Sequence, residues 1–139
     1  MKFMVIVKAN ADSEAGVLPP PEVFTAMGKY NEELLKAGIL LAGEGLHPSS
    51  KGMRIKFAGD VRTVTDGPFI ETKELIAGFW LFEVRSREEV IEWVKRAPFD
   101  GGTEIEIRQV FAPEDFAGAA PQEVLDQEAR MRAQGVKIG

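Results

Sequence analysis

The feature that most limits the possible folds is a set of short segments that are apolar at nearly every position. These segments are Phe3–Val7, Ile39–Ala42 and Phe79–Val84, and β-branched or aromatic residues are frequent in them. A strand with one solvated face alternates apolar and polar side chains, whereas a strand covered on both faces does not. Each segment therefore predicts a strand that is covered by protein on both faces.

Two amphipathic helices are predicted between these strands. Prolines 19–21 open the first helix, and Gly38 ends it as a left-handed cap. Its apolar positions recur at helical spacing: Val23, Ala26, Met27, Tyr30 and Leu34. Ser86 and Glu89 have capping-box spacing at the start of the second helix, which Pro98 stops. Because each helix has one apolar face, both are expected to pack on one side of a sheet.

A hairpin and a last strand complete the pattern. Residues 53–57 alternate apolar and basic side chains, and the turn at 58–60 leads into a strand at 61–65. Residues 104–108 alternate with period two, and the phase slip at 109–111 permits a bulge. The order of elements predicts an α+β protein with a ferredoxin-like βαββαβ fold that carries the hairpin as an insertion.

The last part of the chain is predicted to be a helical tail. A loop of small residues at 117–121 precedes a predicted helix at 122–133, whose apolar face is thin. Such a helix is expected either to dock on a partner subunit or to fray. The chain is accordingly divided into one domain at 1–115 and a tail at 116–139.

The sheet face turned away from the helices predicts self-association. Half of the side chains of the three apolar segments would lie on that face, where they would expose a large apolar patch. Packing two such sheets together removes the patch from water. We therefore expect a homodimer with a polar pocket.

Composition limits the chemistry and the partners. With no cysteine and one histidine, His47, the chain excludes cysteine-based sites and a multi-histidine metal centre within one subunit. The net charge is −5 with both signs interspersed, which does not favour nucleic acid. No apolar stretch has the length of a signal peptide core or a membrane span. We expect a cytoplasmic protein without a metal, a cofactor, or a nucleic-acid or membrane partner.

One segment carries a family resemblance. Residues 66–74 read Asp-Gly-Pro-Phe-Ile-Glu-Thr-Lys-Glu, and the segments Gly43–Pro48 and Gly78–Trp80 flank them. This arrangement resembles the DGPF subgroup of the bacterial YCII-related family, over roughly residues 1–115. The resemblance implies a ferredoxin-like subunit that forms a dimeric α/β barrel.

The resemblance implies less about activity. YCII-like members with a proposed activity resemble enzymes that use a histidine on the first helix and an aspartate near the last helix–strand junction. Alignment on Gly38 places Met27 at the histidine's position, while Ala97 stands at the aspartate's position with Asp100 close by. The dyad is thus missing from the aligned positions, and whether the chain is an enzyme stays open. The association of such genes with sigma-factor genes implies a regulatory or sensing role.

Three residues are candidates for catalysis. His47 is the candidate proton carrier, because its side chain alone has an unperturbed pKa near neutrality, although it is equally well a loop histidine that bonds to backbone. Asp66 is a candidate to orient His47, but Asp-Gly-Pro is also common turn chemistry, which is the stronger expectation. Glu44 lies between two glycines and is a candidate base if buried, or a solvated charge if exposed.

Further polar residues are candidates for ligand binding. Glu71, Thr72 and Lys73 form the polar half of the signature, and Lys73 has the charge to bind a carboxylate or phosphate. Arg54 and Arg62 lie on the inserted hairpin, where they either line the same cavity or are solvated surface residues.

Two main functional hypotheses follow. The first is a homodimer that binds a small polar metabolite near His47, Glu44, Asp66 and Lys73 in a regulatory or sensing role. The second is an acid–base enzyme, a lyase or hydrolase acting on a small organic acid or phenol, with His47 as proton carrier. A structural interaction protein is a weaker third. The missing dyad favours the first.

Overall fold

The computed structural model describes residues 1–138, and the elements follow in nearly the predicted order. The strands are β1 Lys2–Lys8, β2 Leu40–Gly45, β3 Met53–Ala58, β4 Val61–Asp66, β5 Ile76–Glu83 and β6 Ile105–Gln109. The helices are α1 Ala11–Glu14, α2 Pro21–Lys36, α3 Arg87–Lys95 and α4 Gln122–Ala133. Gly139, the last residue of the predicted tail, lies outside the described residues. No helix in this range is long and apolar enough to cross a membrane.

The strands form two sheets. The main sheet has the order β2-β5-β1-β6 with antiparallel neighbours, and β3 and β4 form a separate two-stranded hairpin. This is the strand order of a ferredoxin-like βαββαβ unit, and the hairpin is inserted between the second and third strands of that unit. The predicted α+β arrangement of these elements is therefore confirmed.

The hydrophobic core lies between the main sheet and the helices α2 and α3. Phe3 pairs with Phe82 and Val5 with Trp80 across neighbouring strands, so these four side chains share one sheet face. Helix residues complete the core from the other side, and its buried members are Phe3, Val5, Tyr30, Leu34, Ile39, Trp80, Phe82, Val84 and Val90. Sheet and helices thus bury their apolar faces against each other, as the periodicity predicted.

The opposite face of the main sheet, called the open face below, is apolar only at its centre. The central side chains alternate away from the core and stay partly exposed: Met4, Ile6, Phe79 and Leu81. Toward β6 the face is charged, because Glu106 lies 3.4 Å from the Lys8 ammonium and 3.5 Å from the Arg108 guanidinium. The predicted apolar patch is therefore centred on β1 and β5, and its β6 side is charged.

The helix ends follow the predicted chemistry. Gly38 follows α2 with a φ of +74°, a conformation that favours glycine. The Ser86 hydroxyl caps α3 by accepting from the Glu89 backbone N–H at 3.1 Å. Satisfying these end groups fixes where each helix begins or ends.

Two local features differ from the sequence expectation. The predicted loop before α2 contains the short helix α1, because Asn10 and Ser13 cap each other's backbone N–H groups at 2.8 and 2.9 Å. The irregular register lies at Val7/Lys8 and Leu40/Ala42, whereas β6 pairs regularly with β1 as far as Gln109. A phase slip in sequence therefore marked the end of β6 and not a bulge.

Candidate functional site

A cavity of about 490 Å³ lies beside the edge strand β2, between α2 and the main sheet. This volume is in the range of small-molecule binding sites. The side chains that give the wall its character are Leu18, Phe24, Met27, Asn31, Trp80 and Phe99. The wall is therefore apolar and rich in aromatic rings, with one amide among them.

Glycines on β2 and β5 make room for this cavity. A Cβ at Gly43 would lie 2.8 Å from Trp80 Cδ1, so the indole ring rests directly on the β2 backbone. A Cβ at Gly78 would lie 2.8 Å from the Glu44 carbonyl oxygen, so only glycine allows the two strands this approach. A Cβ at Gly45 would meet no atom within 4 Å, and that empty space belongs to the cavity.

A hydrogen bond fixes the one amide in the wall. The Trp80 indole N–H donates to Asn31 Oδ1 at 3.0 Å. Since the indole nitrogen only donates, this bond assigns the oxygen of the amide to Trp80. The Asn31 Nδ2 group is then the donor that is left for a molecule in the cavity.

The same indole ring is held by other aromatic rings. Tyr30 and Phe99 both meet Trp80 edge-to-face, with ring centroids 5.8 and 6.0 Å apart. The Tyr30 hydroxyl in turn donates to the Trp93 carbonyl oxygen at 2.7 Å, which links α2 to α3. Burial raises the pKa of Tyr30 to about 12. The cavity wall therefore rests on a packed and hydrogen-bonded aromatic cluster.

Glu44 borders the cavity, but its side chain points elsewhere. A Cβ at Gly43 would face Trp80 on the core side, and side chains alternate along a strand. Glu44 is therefore directed to the open face, where it is exposed. Its backbone, not its carboxylate, contributes to the wall.

The other predicted proton-transfer residues lie apart from the cavity. His47 is exposed and follows the end of β2, outside the lining residues. Met27, which the sequence resemblance places at a histidine position, lies in the cavity wall. Ala97 packs against the core, and Asp100 is exposed. The cavity wall thus contains the apolar side chain of Met27 and neither His47 nor Asp100.

The Asp-Gly-Pro-Phe segment packs against the 3₁₀ turn Ser49–Lys51. A Cβ at Gly67 would overlap the Ser49 carbonyl oxygen, so the two backbones touch. The Phe69 backbone N–H donates to Ser49 Oγ at 3.0 Å, and the Ser49 hydroxyl donates to the Glu14 carboxylate. The first half of the signature therefore joins the hairpin base to α1 through Ser49.

The remaining candidates lie around the hairpin. Arg54 lies 3.6 Å from the Glu71 carboxylate and stacks on the Phe69 ring, 3.8 Å from its centroid. The other candidates are distributed over this surface: Arg62 near the hairpin turn, Asp66 at the end of β4, and Thr72 and Lys73 in a second 3₁₀ turn. None of these side chains lines the cavity. Their roles in binding or catalysis stay predictions.

Sequence reasoning missed Asn31 as a site residue. The apolar stripe of α2 predicts core packing only, although an uncharged amide, Asn31, directly follows Tyr30. That amide was the available signal. Among residues 1–138, no group of three or more His, Asp or Glu side chains is arranged to hold a metal ion.

Comparison with known proteins identifies the family. The model described as the YCII-related domain matches residues 1–114. The chain belongs to the YCII-related family. The predicted resemblance is thereby confirmed at the level of the family.

One similar solved structure is 5-chloro-2-hydroxyhydroquinone dehydrochlorinase (TftG) from Burkholderia phenoliruptrix, in complex with 2,5-dihydroxybenzoquinone. The match has 18% identity and a TM-score of 0.41, and it covers 82% of this YCII-related chain and 98% of the dehydrochlorinase. A search of curated proteins finds no match to this chain.

Proposed function

We propose that this YCII-related protein is a homodimer that binds one small, mainly apolar molecule containing a ring in the cavity beside β2. The observation that carries this proposal is the cavity itself, with aromatic walls at Phe24, Trp80 and Phe99. Apolar pockets with few, well-placed polar groups bind ligands of matching composition. A molecule that contains a flat ring matches this lining, and the cavity has room for it.

The single amide defines the polar group of the ligand. Asn31 Nδ2 is a donor, so its partner is an acceptor such as a hydroxyl or carbonyl oxygen. A ligand with several charges would lose its hydration without new hydrogen bonds from the apolar wall. The polar pocket and polar metabolite expected from the sequence do not fit this apolar wall, and we replace them by a mainly apolar molecule with one oxygen-bearing edge.

Binding rather than turnover is supported by the residues around the cavity. Met27 stands in the wall where the family's proposed enzymes are expected to have a histidine, and thioether groups carry no proton. His47 is exposed to solvent outside the wall. Reversible binding without chemical change is also what a regulatory or sensing role requires.

The homodimer is supported by the open face. Its apolar centre consists of side chains from β1 and β5, and these stay partly exposed in one subunit. Packing two sheets face to face would bury these side chains, as in other two-sheet proteins.

A plugged cavity tests the binding proposal. Gly45→Leu places a side chain in the cavity without a backbone collision, and Gly28→Leu is the matched control on exposed α2 surface. Phenol is the probe, and succinate is the charged comparison. A ligand at 100 times its Kd raises stability by about 2.7 kcal/mol, which a thermal-melt assay detects.

We expect phenol to raise the Tm of the natural chain and of Gly28→Leu, but not of Gly45→Leu. Succinate should leave all three unchanged. An equal phenol effect on both leucine variants would contradict binding in this cavity, as would a response to succinate alone.

A further inference from the structure

The inserted hairpin β3–β4 is not covered within its own subunit. Every residue from 53 to 66 is exposed, and within the described chain no helix or other strand packs extensively on the hairpin. A two-stranded hairpin by itself is at best marginally stable in water. The fold therefore leaves this element in need of a covering surface.

One face of the hairpin is apolar. Cross-strand partners share a face, which places Ile55 with Val64, Phe57 with Arg62 and Met53 with Asp66. The apolar members of this face have exposed fractions of 60% for Met53, 54% for Ile55, 70% for Phe57 and 61% for Val64. The opposite face is largely polar, with Arg54, Lys56, Thr63 and Thr65.

The charges on this face make it complementary to itself. Arg62 lies toward the turn and Asp66 at the base, and the Ile55–Val64 pair lies midway between them. We propose that two copies of the chain pack these hairpin faces together about a two-fold axis through the Ile55–Val64 pairs. That symmetry brings Arg62 of each copy to Asp66 of the other, and Met53 of each copy to Phe57 of the other.

The exposed area agrees with a second copy as the occupant. Together the four apolar side chains expose roughly 400–500 Å² in each copy, given that one large side chain has an area of about 150–250 Å². A standard interface buries about 800 Å² per partner, of which roughly 56–65% is apolar. The hairpin face thus supplies the apolar part of an ordinary interface, and the two charge pairs at its ends set the register.

This surface is separate from the open face of the main sheet. A chain that uses both surfaces has two kinds of two-fold contact, and these close into a tetramer where the two axes cross at right angles. The hairpin contact does not depend on the ligand proposed for the cavity, nor on the packing of the open faces. An experiment on the hairpin contact must therefore detect that contact independently of the other two.

Site-specific cross-linking provides such a test, because the chain has no cysteine of its own. Val64→Cys places a thiol beside the proposed axis, and Thr63→Cys is the matched control on the other hairpin face. A short bis-maleimide should convert most of the first variant into a covalent species of twice the 15.3 kDa subunit mass. It should leave the second as single subunits. Equal yields from both variants would overturn the proposal.

Charge exchange gives a second, independent readout. Arg62→Glu and Asp66→Lys each place like charges together at the proposed contact, so each should weaken association on the order of tenfold. The double variant restores opposite charges and should return to the association of the natural chain. Sedimentation velocity measures these changes. A double variant as weak as either single one, or single variants that associate normally, would contradict the two-fold contact.

Discussion

At the scale of single residues, Trp80 and its neighbours determine the shape of the cavity. Gly43 lets the indole lie on β2, Asn31 accepts its N–H, and the rings of Tyr30 and Phe99 hold its edges. Aromatic pairs of this geometry add about 0.5–1.5 kcal/mol beyond their buried area. These contacts fix the position of the indole as one side of the cavity wall.

Ionisation of Tyr30 should destabilise this cluster at alkaline pH. Its pKa is raised from 10.0 to about 12, chiefly because burial disfavours the phenolate. Below pH 10 the phenol is protonated in both the folded and the unfolded chain, so the stability that it contributes is fully present. Between pH 10 and about 12, Tyr30 ionises in the unfolded chain but stays protonated in the folded one. The free energy of unfolding should therefore fall as the pH rises.

This prediction can be checked on one chromophore, since Tyr30 is the only tyrosine in the chain. The phenolate absorbance should titrate near pH 12 in the folded protein and near 10 in denaturant. Tyr30→Phe removes the hydrogen bond to the Trp93 carbonyl oxygen, so the free energy of unfolding should fall by about 1 kcal/mol. In the same variant, the decrease in the free energy of unfolding that Tyr30 causes at alkaline pH should be absent. A folded-state titration near 10 would show that the ring is not buried as described.

At the scale of elements, the turn Ser49–Lys51 connects parts of the chain that are distant in sequence. The Ser49 backbone N–H and hydroxyl both bind the Glu14 carboxylate of α1, and Ser49 Oγ accepts from Phe69. The Asp-Gly-Pro-Phe segment thus has a structural explanation in its first half. Its role is to dock the hairpin base on the domain.

Ser49→Ala should destabilise the protein by about 1–3 kcal/mol. The substitution removes the hydroxyl partner of both the Glu14 carboxylate and the Phe69 N–H. Ser50→Ala is the neighbouring control at an exposed position, where we expect a change within about 0.5 kcal/mol. Urea denaturation of the two variants measures the difference, and equal midpoints would refute this role for Ser49.

At the scale of the whole molecule, one subunit leaves two surfaces that its own elements do not cover. The open face has an apolar centre on β1 and β5, bordered by the charges of Glu106, Lys8 and Arg108. The hairpin face is the second surface. An apolar centre within a charged rim is the usual composition of a protein interface.

Leu81→Glu tests the open face as a dimer contact. A carboxylate at the centre of two packed sheets would be buried without a partner, so association should weaken by tenfold or more. Lys95→Glu changes the charge on the exposed surface of α3 and should leave the particle mass unchanged. Light scattering at micromolar concentration separates these outcomes. If a folded Leu81→Glu variant has the same particle mass as the natural chain, the proposed sheet-to-sheet dimer is wrong.

Periodicity alone determined the strands and the two core helices, α2 and α3. Alternation and helical spacing record which side chains leave water, and that local pattern survives whatever the elements pack against. The cap residues Gly38 and Ser86 could be assigned for the same reason, because their contacts lie within a few residues. The short helix α1 escaped prediction, since its capping pair lies in a stretch without an apolar pattern.

Only the tertiary structure decided where the cavity and the signature segment lie. Phe24 and Asn31 lie on α2, Trp80 on β5 and Phe99 after α3, and nothing local records that these three parts of the chain meet. The alternation of β2 directed Glu44 away from the cavity, because Gly43 had to face Trp80. Side-chain pairing over long sequence distances depends on how whole elements pack, and packing is a property of the folded chain rather than of any one segment.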